Sequence, residues 1–165
     1  MTGSVARLPS LGPRGEGWVV GQILLMALVA VLGVRHRRPW VVRSAPDLAG
    51  LVTGALLLAD GFTLAGRAAG DLAGSLTVLP HPRDDAQLVE TGAYARIRHP
   101  LYTSAMLMAV GWAMATRSWP ALAASAVLAV WLDAKARLEE AWLVEQFAGY
   151  RAYRDRTSRF LPGIY

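Results

Sequence analysis

Apolar residues fill four stretches of the chain, 18–34, 48–65, 101–116 and 119–132, and short polar clusters separate them. A helix that crosses a membrane needs roughly 20 residues, with a range of about 17–25. The first two stretches fall within that range and the last two are somewhat shorter. The pattern therefore predicts an all-α polytopic membrane protein with about four transmembrane helices, folded as a single domain over residues 1–165.

The connections between these stretches carry their own signals. Arg117–Pro120 joins the last two with a turn sequence and an interfacial tryptophan, which predicts a tight helical hairpin. Beyond the fourth stretch, opposite charges spaced four residues apart predict an amphipathic helix over 133–156. The long segment 66–100 contains several glycines and prolines and is expected to be a cytoplasmic loop, a kind of segment that often carries function.

The first stretch is expected to stay in the mature chain as a membrane helix. It is followed by Arg35–Pro39, an arginine-rich segment, where a signal peptide would have a small-residue cleavage site.

Basic residues indicate how the helices are oriented. With four spans and both termini in the cytoplasm, 12 lysines and arginines lie on the cytoplasmic side and 5 on the other. The positive-inside rule favours this arrangement, although it leaves the dense Arg35–Arg43 cluster outside. The expected location is the cytoplasmic membrane of a bacterium, with both termini and the active site facing the cytoplasm.

Composition agrees with a membrane protein and excludes several kinds of chemistry. Hydrophobic residues make up 54% of the chain, charged residues 18%, and the mean hydropathy is +0.32. The chain has no cysteine, which excludes disulfides, thiolate catalysis and cysteine-ligated metals. Its formal net charge is +5, but the arginines flank apolar stretches, so lipid headgroups are the expected partner and nucleic acid is not.

The first polar cluster with chemical potential is Arg98–Tyr102, with the sequence Arg-His-Pro-Leu-Tyr. Pro100 suits the first turn of a helix and biases the preceding His99 towards extended geometry. The free N–H groups of that helix start, beside Arg98 and His99, would form an anion site that a ligand carboxylate fits. The alternative is that these basic residues only anchor the chain at the membrane interface.

The second cluster is the pair Glu139 and Glu140, whose side chains point about 100° apart on a helix. One carboxylate would then face a polar cavity while the other pairs with an arginine or caps a loop. The alternative is a solvated helix face paired to Lys135 and Arg137. Asp60, inside the second stretch, is either a functional intramembrane carboxylate or a group hydrogen-bonded near the interface.

Other catalytic signatures are absent from the sequence. No HExxH or similar spacing supports a metal site, and His36 and His81 have the character of surface residues. Neither a GxSxG nucleophile turn nor a glycine-rich nucleotide-binding motif is present, which leaves hydrolases and soluble nucleotide-binding enzymes without support.

Taken together, these motifs resemble the isoprenylcysteine carboxyl methyltransferase family, whose wider group includes phospholipid methyltransferases. The resemblance covers roughly residues 65–165. The segments that carry it are 88–94, Arg98–Tyr102, Glu139-Glu140, Tyr150–Tyr153 and Arg159–Pro162. The chain departs from the family at Ala93, where proline is common, and in the short Phe147–Gly149 stretch.

The resemblance implies a membrane methyltransferase that uses S-adenosylmethionine, bound from the cytosol between the foot of the hairpin and the C-terminal helix. It implies that the catalytic residues are His99, Arg98 and Glu140. The implied cofactor-binding residues are Arg98, His99, Pro100, Tyr102, Glu139, Glu140 and Tyr94, with Arg159 as a looser candidate. Besides the bilayer, the expected partner is a lipophilic or small methyl acceptor, with no metal. An isoprenylcysteine-like carboxylate, a phospholipid amine and a small thiol are all open as acceptors.

Two other functions stay open. A membrane NADPH-dependent reductase is one, because some sterol-reductase-like proteins share a His-Pro-x-Tyr motif; the Glu139-Glu140 pair fits the methyltransferases better. The other is a non-catalytic membrane scaffold whose charges only anchor it, which requires that the protein bind neither cofactor.

Overall fold

The computed structural model describes residues 9–72, 79–81 and 87–165, and all regular structure in these ranges is helical. The α-helices are α1 (Glu16–Arg35), α2 (Ala45–Leu72), α3 (Pro100–Ala115), α4 (Trp119–Gln146) and α5 (Tyr150–Arg156), with a 3-10 helix at Gly92–Ala95. An isolated β-bridge joins Ile97 to Ser158, and the described ranges contain no strand. The all-α prediction is confirmed.

Among the described helices, α1 and α2 are long and apolar enough to cross a membrane. Their outer faces expose large apolar side chains; the Phe62 side chain on α2, for example, is 67% exposed. Helix α3 has 16 residues, a length of about 24 Å against about 30 Å of hydrocarbon. Two of the four predicted spans are thus supported, while those over 101–116 and 119–132 stay a prediction.

The four long helices pack in the spatial order α2, α3, α4, α1, since α3 contacts both α2 and α4, and α4 contacts α1. A buried apolar cluster lies between α1, α3 and α4. Its members include Val29, Ala109, Leu128 and Leu132. The close approach of α2 and α3 depends on glycine: a Cβ on Gly111 would lie 2.9 Å from the Gly54 carbonyl oxygen.

The predicted hairpin between α3 and α4 is present. Ser118 is the N-cap residue of α4, and its hydroxyl accepts a hydrogen bond from the Ala121 N–H at 3.2 Å. The connector between α1 and α2 lies at the same end of the bundle, because the Arg38 N–H donates to the Thr116 carbonyl and the Trp40 indole donates to the Ala115 carbonyl. Helices α1 to α4 therefore run alternately up and down.

Two predicted boundaries are corrected. The helix predicted over 133–156 is two helices: α4 runs without interruption from the hairpin to Gln146, and α5 begins at Tyr150. The helix ends because Phe147 has an extended backbone (φ −115°, ψ 112°). Gly149, two residues later, is a poor helix former. The loop predicted from residue 66 begins later, because α2 continues to Leu72. Residues 73–78 and 82–86 of that loop, and Arg7 and Arg83 of the charge count, lie outside the described residues.

Candidate active site

The Arg98–Tyr102 motif lies where the chain enters α3. His99 is the N-cap residue, with φ −124°, and Pro100 takes the first helical position as predicted. The C-terminal tail crosses this point: the Arg98 N–H donates to the Ser158 carbonyl (2.9 Å) and the His99 N–H to the Arg159 carbonyl (3.1 Å). The tail is therefore bound to the segment that leads into α3. At the helix start itself, where the sequence predicts an anion site, the N–H groups of Tyr102 and Thr103 donate to the His99 carbonyl at 3.1 and 3.0 Å.

The His99 imidazole lies between the two adjacent glutamates of α4. Its Nε2 is 3.2 Å from a Glu140 carboxylate oxygen, and its Nδ1 is 3.5 Å from a Glu139 oxygen. The His99 residue is only 7% exposed, and its ring stacks on the Tyr102 ring with centroids 5.3 Å apart. The two motifs, about forty residues apart in sequence, therefore form one buried polar cluster.

Glu140 also accepts hydrogen bonds from two arginines. Arg98 Nε donates to Oε1 at 3.0 Å, while Arg159 donates from Nε to Oε1 at 3.0 Å and from Nη2 to Oε2 at 3.2 Å. Burial by itself would raise the pKa of Glu140, but the hydrogen bonds from His99, Arg159 and Arg98 outweigh it and hold that pKa well below its usual range. Glu140 is therefore an ionised carboxylate in the fold.

Glu139 has different surroundings. Its carboxylate accepts a short hydrogen bond from the Tyr102 hydroxyl and lies 4.0 Å from the Lys135 ammonium. Burial raises the pKa of Glu139, against the opposing effect of His99 and Lys135. Two neighbouring carboxylates thus have their pKa values shifted in opposite directions, which is a common feature of sites that handle protons.

Lys135 and Gln22 belong to the same cluster, and the sequence analysis did not place either of them there. The Lys135 side chain is 2% exposed; its ammonium donates to the Gln22 side-chain oxygen at 2.7 Å and lies 5.0 Å from the centroid of the Tyr102 ring. Burial lowers the pKa of Lys135. Lys135 is the only lysine in the chain, one turn before Glu139, and this spacing was the available signal. Nothing local in the sequence marks Gln22.

The alternative of a solvated glutamate face is not what the structure shows, since the side chains of Lys135, Glu139 and Glu140 are all largely buried. Asp60, by contrast, is exposed on α2, and the neighbouring Thr63 hydroxyl donates to the Ala59 carbonyl. His36 is exposed and outside the cluster.

The remaining predicted residues, Pro100 and Tyr94, are buried beside the cluster. Pro100 is fully buried at the helix start. Tyr94, in the 3-10 helix, is also buried, and its carbonyl accepts a hydrogen bond from the Tyr153 hydroxyl at 2.7 Å. Asp71 orders the preceding turn by accepting from the Ala93 N–H at 2.7 Å. Within the described residues, the Tyr94 hydroxyl makes no hydrogen bond to either glutamate.

The Tyr150 hydroxyl is buried without a hydrogen-bond partner among the described residues, the only such side-chain atom there. Tyr150 is 1% exposed, and Glu140 and Arg98 both influence its pKa, which burial raises. A buried hydroxyl without a partner costs free energy, so this atom is suited to bond a ligand or water. The sequence analysis missed this role, because burial of Tyr150 depends on how α5 packs.

An open cavity of about 770 Å³ borders the cluster, with Arg98 and Arg159 in its wall. Within the described parts of the chain, no group of three or more His, Cys, Asp or Glu side chains is arranged to hold a metal ion.

A family model described as phospholipid methyltransferase matches residues 49–149. The match includes the predicted site residues from Tyr94 to Glu140, while Arg159, the looser candidate, and Gln22 lie outside it. No curated protein matches the chain.

Proposed function

Since the chain belongs to the phospholipid methyltransferase family, and is a membrane methyltransferase in that general sense, we propose that it transfers a methyl group from S-adenosylmethionine to a lipophilic or small acceptor. The observation that supports this most is the convergence of Arg98, His99, Glu139 and Glu140 in one buried cluster. The proposal places this cluster at the cytoplasmic side of the membrane, where a soluble cofactor enters.

The side chains of the cluster suit the charges of this cofactor. Its carboxylate matches Arg98, whose Nη2 makes no hydrogen bond within the described structure. Its amino group and sulfonium match a carboxylate and the faces of aromatic rings, which Glu139, Tyr102 and Tyr150 provide. The Tyr150 hydroxyl, which no described residue bonds, adds a further polar contact for the ligand.

The cofactor would supply a methyl group that is bonded to a positively charged sulfur. An in-line attack on this methyl by the acceptor displaces the sulfur, which becomes a neutral thioether. The protein needs no covalent intermediate for this step. Its residues act by alignment and by excluding water, and the burial of His99 and Glu140 provides a site of that kind.

The proton balance depends on the acceptor. An amine or thiol acceptor must lose a proton, and His99, in contact with Glu139, is the proposed base. A carboxylate acceptor arrives without that proton and needs an arginine to orient it. An apolar acceptor would reach His99 or the orienting arginine laterally from the bilayer, by entering between the helices.

Calorimetric titration of the detergent-purified protein with S-adenosylhomocysteine tests the proposal. We expect saturable binding that weakens at least about tenfold in Arg98→Ala, since a charge-assisted bond is lost. Tyr150→Phe should weaken binding several-fold without lowering the melting temperature, because the hydroxyl has no hydrogen-bond partner among the described residues. Arg151→Ala is the matched control, since Arg151 is exposed on α5 and outside the cluster.

The alternatives give different results in the same experiment. Saturable binding of NADPH with none of S-adenosylhomocysteine would replace the proposal with a reductase. A folded protein that binds neither ligand would be the scaffold.

A further inference from the structure

The cavity beside the cluster has a strongly positive wall. Five arginines and one aspartate line it: Arg96, Arg98, Arg154, Arg156, Arg159 and Asp155. It lies at the start of α3, between the approach to that helix and the segment that follows α5. An excess of positive over negative charge on a concave surface attracts anions.

Three of these arginines already have partners. Arg98 and Arg159 bond to Glu140, and Arg156 lies 2.5 Å from Glu90. Arg96 and Arg154 are exposed, and within residues 9–72, 79–81 and 87–165 neither side chain has an acidic partner. These two residues, the arginine rim, carry guanidinium charges that no acidic side chain pairs with in those ranges, and together they exceed the one negative charge of Asp155 in the same wall.

The rim does not suit the cofactor. S-adenosylmethionine carries one negative and two positive charges, so an excess of guanidinium groups repels it. The rim favours an anion, and the side chains beside it indicate the source. Ile164, in the same wall, is 79% exposed, and the neighbouring Leu161 is 47% exposed. Arginines next to exposed apolar side chains are typical of a surface that lies against lipid headgroups.

We propose that the arginine rim, Arg96 and Arg154, binds the phosphate of an anionic phospholipid headgroup, at a site separate from the methyl-transfer cluster. The lipid is a ligand there, and the site does not require it to be a methyl acceptor. Bound lipid would hold the tail and α5 against the membrane beside the cluster.

The test titrates the full-length protein, in uncharged detergent, with short-chain phosphatidylglycerol and separately with phosphatidylcholine, followed by tryptophan fluorescence. We expect phosphatidylglycerol to bind at least about tenfold more tightly. The double variant Arg96→Gln/Arg154→Gln should lose that preference, with an unchanged melting temperature because both side chains are exposed. Each guanidinium near a headgroup accounts for roughly a fivefold change in affinity.

The matched control is Arg67→Gln/Arg151→Gln, which removes the same charge from exposed positions outside the cavity and should keep the preference. Equal losses in the two double variants would overturn the proposal in favour of non-specific attraction. Competition by inorganic phosphate at similar affinity would identify a soluble anion, which also overturns it. Displacement of the lipid by S-adenosylhomocysteine would assign the cavity to the cofactor. No cofactor is needed in the titration, so its result is independent of the proposed methyl transfer.

Discussion

The imidazole of His99 contacts both members of the glutamate pair, one through each ring nitrogen. Adjacent helix residues point in different directions, and a ring with a nitrogen on each side can still reach both. The two carboxylates then differ through their other neighbours, two arginines at Glu140 and a tyrosine and a lysine at Glu139. The roles of the pair therefore come from the packing around each oxygen.

Substitution Glu140→Gln tests the ionised state of this residue. The folded-state pKa lies below the ordinary 4.5, so the carboxylate stabilises the fold above that pH, and this stabilisation is lost as the pH falls further. We expect the melting temperature of Glu140→Gln to be well below that of the wild type at pH 6, because removing one partner of a buried ion pair costs about 3–5 kcal/mol.

The difference in melting temperature between the wild type and Glu140→Gln should become smaller as the pH falls from 6 towards 3. Melting curves in detergent across this pH range measure it. A difference that is constant with pH would contradict an ionised Glu140. Glu145→Gln is a control, since that residue is exposed on the same helix.

Lys135→Met tests whether the buried ammonium is part of the site. It removes the donor to the Gln22 side-chain oxygen and the ammonium charge beside the Glu139 carboxylate, and the loss of the hydrogen bond costs about 1–3 kcal/mol. We expect a lower melting temperature together with weaker binding of S-adenosylhomocysteine. Arg137→Met, at a half-exposed position two residues away, should change both only slightly. Equal effects of the two substitutions would show that Lys135 has no special role.

Among the helices, α4 does most to build the site. It runs unbroken from the hairpin to Gln146, so the apolar positions that pack the bundle and the charged positions of the cluster belong to one rigid element. The interruption at Phe147–Gly149 then lets α5 turn, which brings Tyr150 and Arg159 to Glu140. A continuous helix over 133–156 would carry these two residues away from the cluster.

The packing of α2 against α3 is tested by Gly111→Ala. The added Cβ meets the backbone of Gly54 at 2.9 Å, so the helices must move apart, and such overpacking costs about 1–3 kcal/mol. Gly66→Ala is the control: no atom lies within 4 Å of its Cβ, and alanine is favoured over glycine in a helix by about 1 kcal/mol. Melting curves should show a decrease for the first variant and no decrease for the second. A stabilised Gly111→Ala would contradict the close contact.

At the scale of the whole molecule, the up-and-down order of α1 to α4 makes a prediction about topology. The α1–α2 connector and the α3–α4 turn lie at one end of the bundle, and α5 follows the opposite end of α4. Because the chain has no cysteine, a single cysteine introduced by substitution is the only thiol in the protein, so its labelling shows on which side of the membrane that position lies. In intact cells, Cys at Ser44 and Trp119 should react with an impermeant reagent, and Cys at Arg151 should react only after permeabilisation.

Trp119 is the better position in the turn, because it is 71% exposed whereas Ser118 is buried. Labelling of positions 44 and 119 from different sides would contradict the four-span arrangement. Labelling of both only after permeabilisation would reverse the proposed orientation.

Several features follow from the sequence alone, since they depend on local pattern. Stretches of apolar residues define the helices, Pro100 marks the start of α3, and the turn residues Arg117–Pro120 define the hairpin. The motifs Arg98–Tyr102 and Glu139-Glu140 indicated a methyltransferase family, and the family match supports the wider group.

Only the tertiary structure decided which groups meet. Gln22 reaches Lys135 across 113 positions of the chain, and Tyr150 is buried only because the helix breaks before it. The different surroundings of Glu139 and Glu140 likewise depend on neighbours from α3, the segment before it and the tail. Local pattern determines whether a segment is helical, whereas contacts between distant segments depend on how the helices pack, and no short stretch of sequence encodes that.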